Sequence, residues 1–160
     1  MSDIYIMRGR CRCRAISATL VMSRPPGVLR PRACQCAFCI EHNALTFSDP
    51  AGHLTIEAMS PDFVAYQSWD GGARTLHCAR CGTYVAVLLS HGGQLTGALN
   101  IRGIAVDQLR ALPALAVDDQ LETVEAKQAR RSTSYMPVEL VNFDPPAVAG
   151  QSAGHPTGPA

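Results

Sequence analysis

The sequence lacks the features expected of a membrane protein or a general polyanion binder. No apolar run approaches the roughly 20 residues that cross a bilayer. Lysine is nearly absent, Lys127 being the only one, and 14 basic against 13 acidic side chains leave a net charge of +1. The pI near 7.6 gives no overall field that attracts nucleic acid. We therefore expect no membrane partner and no nucleic-acid partner.

A secretory signal is also missing, since the short apolar segment 4–7 is followed by arginines, which reverses the order found in signal peptides. We expect a cytoplasmic protein. The seven cysteines are an odd number, which suits a closed set of disulfides poorly. In a reducing compartment, clustered cysteines bind metal more often than they form disulfides.

Length and composition predict one domain, because 160 residues that are 47% hydrophobic are enough to bury a core. We place this domain over residues 1–144. Residues 145–160 are rich in proline and glycine and are predicted to be a disordered tail.

Short β-branched and apolar segments bounded by turn residues predict a mainly β fold of antiparallel strands. One short helix is predicted over 106–112, ending before Pro113. Residues 121–131 carry mixed charge without an apolar stripe, which predicts a loosely packed helix or a loop. The predicted strands span 4–7, 15–22, 54–58, 63–69, 74–77, 84–89, 94–101 and 138–141.

Cys34, Cys36 and Cys39 place three thiols within six positions. Thiolates are preferred zinc ligands, and a C-x-C-x-x-C segment is able to surround one ion with little loop-closure cost. Zinc usually takes four ligands, so a trio of sulfurs either recruits another protein atom, such as His42, or leaves a position for water or substrate. The first arrangement is structural and the second is typical of catalytic zinc.

Two further cysteine pairs flank this cluster. Cys11 and Cys13 lie in a segment predicted to be extended, where alternate side chains share a face and both sulfurs are able to chelate one ion. Cys78 and Cys81 precede Gly82 in a C-x-x-C-G motif typical of zinc knuckles, in which backbone amides point at the first sulfur and glycine takes the left-handed position. Spacing alone does not decide which C-x-C pair joins Cys78 and Cys81.

The order of these motifs resembles the glutathione-dependent formaldehyde-activating enzyme family, which includes centromere protein V. The resembling motifs are Cys11-Arg12-Cys13, then Cys34 to Cys39, then Cys78 to Thr83, and the likeness extends to residues 98–101 and 136–138. One difference is Arg14, which stands where family members commonly have glycine. The resemblance implies an Mss4-like β-tent stapled by zinc, with one or two short helices.

By the same resemblance, Cys11, Cys13, Cys78 and Cys81 close a structural zinc site. Cys34, Cys36 and Cys39 hold a second zinc whose fourth position takes a thiolate. The implied activity is that of a carbon–sulfur lyase acting on a thiol adduct of a small aldehyde, with glutathione as the thiol. A zinc-stabilised binding module without enzymatic activity is the alternative, and the oligomeric state is left open.

His42 is the candidate for acid–base catalysis, because an imidazole three residues beyond Cys39 is able to reach the metal or a bound water. Arginines beside the knuckles are predicted to offset the negative charge of a zinc–thiolate site. The aromatic residues Phe38, Phe63, Tyr66 and Trp69 are predicted to lie in the core and its rim. The other polar candidates, each predicted to be exposed, are Glu41, Asp49, His53 and His77.

Overall fold

The computed structural model describes residues 3–143, and the fold within them is mainly β, as predicted. Eleven strands belong to one mixed sheet, and three short helices lie against it. The predicted tail over 145–160 lies outside the described residues. The strands are β1 Tyr5–Arg10, β2 Ile16–Met22, β3 Arg32–Cys34, β4 Thr46–Phe47, β5 His53–Ala58, β6 Val64–Ser68, β7 Arg74–Cys78, β8 Tyr84–His91, β9 Gln94–Asn100, β10 Leu115–Val117 and β11 Met136–Val141. The helices are α1 Ala37–Glu41, α2 Asp107–Arg110 and α3 Val124–Ser134.

The core forms where strand alternation places apolar side chains on one face of the sheet. In β2, every second residue from Ile16 to Met22 is buried, while the residues between them are only partly covered. Strand β2 pairs antiparallel with both β1 and β5, and Leu54 and Ile56 of β5 continue the same buried layer. Period-2 burial of this kind is typical of strands that have one face on the core.

Strand β9 is the branching strand of the sheet. It pairs with β8 along one edge, and with β11 and β4 along the other. Its last residue, Asn100, is buried and joins the two branches: its Oδ1 accepts from the amide of Leu45 at 3.0 Å, and its Nδ2 donates to the carbonyl of Tyr84 at 2.9 Å. The branch brings the start of β8 close to the segment that follows β3.

Two strand pairs are parallel, which the sequence did not indicate. Strand β11 pairs in parallel with β5, matching Val138 with Leu54, and β10 pairs in parallel with β3. The partners are far apart in the chain, so no local turn signal marks either pair. Strand β10, over Leu115–Val117, is too short to show a periodic pattern and was not predicted.

A loosely packed helix or a loop is predicted over 121–131, and the structure has helix α3 there, over Val124–Ser134. Thr123 caps it by accepting from the amide of Ala126 at 3.1 Å. Its buried residues are Lys127 and Arg131, and the Arg131 guanidinium lies 5.1 Å from the centre of the Trp69 ring. The helix therefore packs through cationic side chains, which explains the missing apolar stripe. None of the helices within residues 3–143 is long and apolar enough to cross a membrane.

Candidate metal centre

Two hairpin turns meet at the first cysteine group. The β1–β2 turn carries Cys11 and Cys13, and the β7–β8 turn carries Cys78 and Cys81. The sulfurs of Cys11 and Cys13 are 3.7 Å apart, and those of Cys13 and Cys78 are 3.6 Å apart. All four sulfurs lie within 4.8 Å of one another. The structure thus selects Cys11 and Cys13 as the pair that joins Cys78 and Cys81.

The prediction that Cys11 and Cys13 lie in an extended segment is wrong. The chain reverses here, and the amide of Arg14 donates to the carbonyl of Cys11 at 2.9 Å. Arg14 takes a left-handed conformation with φ 68°. The turn folds both sulfurs toward the second hairpin, so they are brought together by chain reversal and not by strand alternation.

The Cys78–Thr83 turn has the predicted knuckle geometry. The amide of Gly82 donates to the carbonyl of Cys78 at 2.8 Å, and Gly82 has φ 78°. Burial raises the pKa of the Cys78 thiol to about 12, while the backbone of Cys81 and Arg80 acts to lower the pKa of Cys78. Burial also acts to raise the pKa of Cys81, but hydrogen bonds from Thr83 outweigh it and bring the value to about 6.

The four sulfurs fit a tetrahedral soft metal. A Zn–S bond of about 2.3 Å implies sulfur–sulfur distances of about 3.8 Å in a regular tetrahedron. The distances of 3.7 and 3.6 Å are close to this value. Arg12 crosses between the turns and donates to the carbonyl of Cys81 at 2.7 Å, so a cation lies beside the group as predicted.

The second group is formed by the end of β3 and the start of α1. Cys34 is the last residue of β3, Cys36 caps α1, and Cys39 lies inside the helix. All three are buried and their sulfurs lie within 4.8 Å of one another. The chain therefore presents a trio of sulfurs, hereafter the Cys34 trio.

Backbone amides surround the Cys34 trio. The sulfur of Cys34 accepts from the amides of Asp119 at 3.4 Å and Cys36 at 3.5 Å, and the sulfur of Cys36 accepts from the amide of Cys39 at 3.5 Å. A hydrogen bond with Cys39, aided by these amides, lowers the pKa of Cys34 to about 6, whereas the same bond raises the pKa of Cys39 far above its usual value. Cys34 is thus the thiol of the trio whose pKa its surroundings lower.

His42 does not complete the trio. Neither of its ring nitrogens lies within 4.8 Å of all three sulfurs, and among residues 3–143 no other histidine, cysteine or carboxylate meets this limit. The His42 ring packs on Phe38, with ring centres 4.4 Å apart, and faces His77 at 5.5 Å. Its Nε2 is 3.9 Å from a carboxylate oxygen of the exposed Glu41.

Two aromatic rings behind the trio are buried. His77, predicted to be exposed, is 7% exposed and shares a hydrogen bond of 2.9 Å with the hydroxyl of Thr75. Burial, reinforced by the charge of His42, lowers the pKa of His77 to about 4, so it is neutral at physiological pH. Tyr84 packs against the Cys34 trio, and burial raises its pKa well above the usual value. Tyr84 was not predicted as a site residue, since its only signal is that it follows the Cys-Gly-Thr motif.

Two cavities flank the trio. The first has a volume of about 330 Å³ and reaches the trio at Cys36; the second has a volume of about 430 Å³ and includes His42. Cys36 and His42 therefore line different cavities, and Phe38, whose ring packs on His42, lines the first. The first cavity is also lined by Phe38, Trp69, Asp119, Gln120 and Lys127, and the second by Arg12, Glu41, Thr83 and Arg102.

The remaining predicted candidates lie away from the sulfurs. Asp49 was predicted to be exposed but is fully buried, because it forms an ion pair with Arg24 at 3.0 Å and accepts from the amide of Ala51 at 3.0 Å. Its role is to hold the turn before β5. His53 is exposed at the start of β5, as predicted.

Comparisons with known proteins support the fold alone. No protein-family model matches the chain, and no curated protein matches it. A crystal structure of a Rhodobacter sphaeroides protein is similar with a TM-score of 0.51 and 19% identity. The match covers 69% of this chain and 99% of that chain. The shared part is thus a whole folded unit in the other protein.

Proposed function

We propose that this protein is a zinc-dependent carbon–sulfur lyase that acts on the adduct of a thiol, glutathione by family resemblance, with a small aldehyde. The proposal rests on one observation. Three buried sulfurs lie together, no fourth described side chain joins them, and a cavity opens at Cys36. A volume of about 330 Å³ is within the range of small-molecule sites.

We assign different roles to the two cysteine groups, one structural and one catalytic. The group of four is a closed donor set, typical of a structural metal, while the Cys34 trio has the number of protein ligands found in catalytic zinc sites. Soft thiolates select zinc over magnesium or calcium. Zinc bound at the trio would supply the positive charge that holds a substrate sulfur as a thiolate.

The reaction needs no oxidant. In a hemithioacetal, the carbon–sulfur bond breaks with its electron pair passing to sulfur, and the hydroxyl proton leaves as the carbonyl forms. The products are a thiolate, which takes up a proton, and the aldehyde; the reverse sequence forms the adduct. His42 is the proposed proton carrier; it lines the neighbouring cavity and would act through solvent, with which its 26% exposed side chain exchanges protons.

The walls of the Cys36 cavity suit the organic part of such an adduct. Phe38 and Trp69 lie with ring centres 5.4 Å apart and provide apolar surface. Gln120 and Lys127 add a polar amide and a cation to the lining, and Asp119 adds a carboxylate held by Arg32 and Arg130. This combination favours a small ligand that has both a short carbon chain and an acidic group, as glutathione has.

The test is turnover of a thiol adduct together with metal content. Cys36→Ser and Cys39→Ser are each expected to lose one metal equivalent per chain and at least about a hundredfold in the rate of glutathione–formaldehyde exchange measured by NMR. Ile40→Ser is the matched control, because Ile40 is exposed in the same helix and has no sulfur. It is expected to keep both metal and rate.

A different result would reject the proposal. If the two cysteine variants keep the exchange rate of the unmodified chain, the Cys34 trio has no part in the chemistry. If the unmodified chain binds a single metal and shows no exchange above buffer, the trio is not a zinc site and the lyase assignment fails.

The alternative, a zinc-stabilised binding module, is supported by one observation. Strand β1 pairs only with β2 within residues 3–143; Ile4, just before the strand, is 67% exposed, and Ile6 within it is 49% exposed. Exposed apolar residues at a sheet edge favour pairing with another chain. Addition of glutathione separates the two proposals: the lyase binds the thiol at the trio, whereas the module is indifferent to it.

A further inference from the structure

The hydroxyl of Tyr84 is buried without a hydrogen-bond partner among residues 3–143. Tyr84 is 2% exposed, and its neighbours in the buried cluster are the three cysteines of the Cys34 trio and Ala44. A buried hydroxyl that makes no bond destabilises the fold, and phenylalanine would fill the same space without this cost. A polar group retained in such a place needs a partner that appears when the site is loaded.

The position of the Tyr84 side chain is fixed from both ends. Its carbonyl accepts from Asn100 at 2.9 Å, which anchors the start of β8. Its ring is held by Phe38 at 5.1 Å, His77 at 5.6 Å and His42 at 5.8 Å between ring centres. The ring is therefore packed against three other rings, and its hydroxyl is buried.

Sulfur of the Cys34 trio is an acceptor that the buried cluster around Tyr84 offers. The Nε2 atom of His77 is engaged by Thr75. The Phe38 ring has no lone pair, and a guanidinium such as that of Arg131 only donates. Thiols are weak acceptors, whereas metal-bound thiolates are strong ones, so the Cys34 trio becomes an acceptor on loading.

We propose that the Tyr84 hydroxyl donates a hydrogen bond to sulfur at the metal-loaded Cys34 trio and so positions and stabilises its thiolates. This inference rests on the metal-binding part of the proposed function and assigns a positioning residue that the cysteine motifs do not include. Outer hydrogen-bond partners of metal ligands typically change metal affinity by about tenfold to a hundredfold when removed.

The experiment compares Tyr84→Phe with the unmodified chain in three measurements. Zinc affinity at the trio is measured by competition with a chelator and is expected to fall by about tenfold to a hundredfold. The second measurement uses Co²⁺ as the probe and follows the sulfur-to-metal charge-transfer band at the trio, which is identified as the band that Cys39→Ser loses. In Tyr84→Phe this band is expected to move to longer wavelength, because a thiolate without its hydrogen bond is easier to oxidise. The denaturation midpoint of the form with one metal per chain is expected to stay equal or rise.

Tyr135→Phe is the matched control. Tyr135 is also buried, but its hydroxyl has a hydrogen bond with Arg131. Its removal is expected to lower the denaturation midpoint and to leave zinc affinity and the cobalt band unchanged. The two variants remove the same atom and are expected to give opposite patterns.

Three other outcomes would contradict the inference. If the unmodified chain binds two metals and Tyr84→Phe leaves affinity and band position unchanged, the inference is overturned while the proposed function stands. If the unmodified chain binds one metal only, the proposed function fails and the inference fails with it. A Tyr84→Phe variant that weakens both metals equally and lowers the midpoint indicates a purely structural role and also overturns it.

Discussion

The amide of Asp119 donates to the sulfur of Cys34 at 3.4 Å, although the two residues are 85 positions apart. The contact follows from the parallel pairing of β10 with β3, which places the turn after β10 beside the last residue of β3. The carboxylate of Asp119 is held by Arg32 at 2.7 Å and Arg130 at 3.3 Å. The sulfur of Cys34 thus accepts from the amide of a residue whose side chain is held by two ion pairs.

Asp119→Asn is expected to weaken metal binding at the trio by about tenfold, because it removes the charge that fixes the amide donor to Cys34. Binding at the group of four is expected to stay unchanged. Zinc competition with a chelator measures both affinities. Asp107→Asn is the control, since the ion pair of Asp107 with Arg110 is exposed and far from sulfur. Equal affinities in all three proteins would show that the ion pairs do not support the site.

The ion pair of Arg130 with Glu122 predicts a defined pH dependence. The guanidinium donates to both carboxylate oxygens, at 2.9 and 3.0 Å, and this holds the pKa of Glu122 below its usual value of 4.5. A depressed carboxyl pKa stabilises the folded state above about pH 4.5, and the stabilisation is lost as pH falls through the folded-state value. Since the pair is partly exposed to solvent, its contribution is about 0.5–1 kcal/mol.

Glu122→Gln is therefore expected to unfold more easily than the unmodified chain at about pH 7 and equally easily at about pH 3. Urea unfolding at the two pH values measures the difference, and metal loss in acid affects both proteins alike. Glu125→Gln, an exposed change in the same region, is the control. A difference that persists in acid would mean that the pair is not its cause.

Much of the fold and the donor set could be predicted from local sequence. An apolar, β-branched segment bounded by turn residues marked β2, alternation marked β5, and the C-x-x-C-G motif predicted the left-handed Gly82. The parallel strands could not be predicted, because pairing of β11 with β5 is set by the whole core and by no turn. Asp119 and Tyr84 were missed for the same reason, since each reaches the Cys34 trio only through the sheet.

Helix α3 is a packed helix that the pattern of apolar residues in the sequence does not predict. An apolar stripe is the usual sign of a packed helix, but here Arg131 lies over Trp69 and is buried by an aromatic contact. Arg14 shows the opposite case, in which a residue type misleads about backbone conformation. An arginine gives no sign of the left-handed turn that brings Cys11 and Cys13 together.

The two cysteine groups are expected to differ in their effect on stability. Cys78→Ser removes one sulfur from the closed group that joins two hairpins. Loss of the metal from this group is expected to lower Tm by more than about 10 °C, since about 1 kcal/mol corresponds to 2–4 °C at this chain length. Cys39→Ser is expected to lower Tm by less, because the trio joins neighbouring segments. Thermal unfolding with metal analysis measures both. Equal losses would contradict the division into structural and catalytic sites.

His42→Gln is expected to keep both metals and to slow thiol–aldehyde exchange by about a hundredfold, the usual loss when a general base is removed. The reason is that glutamine keeps the polar contact but carries no titratable nitrogen. Exchange measured by NMR, with metal content determined on the same sample, makes the check. His53→Gln is the control, because His53 is exposed at the start of β5. An unchanged rate would leave His42 without a catalytic role.

Arg14 offers a test of the turn that shapes the group of four. Its φ of 68° costs about 1–2 kcal/mol for a residue with a Cβ atom, while glycine takes this conformation freely but loses more entropy on folding. Arg14→Gly is therefore expected to raise the free energy of unfolding by about 0.5–1 kcal/mol. Arg14→Ala removes the charge and keeps the strain, so it is expected to give no gain. Urea unfolding of the zinc-loaded proteins makes the comparison. If both variants have a higher free energy of unfolding, the cause is removal of the positive charge beside Cys13. If Arg14→Gly has a lower free energy of unfolding, the arginine side chain stabilises the turn.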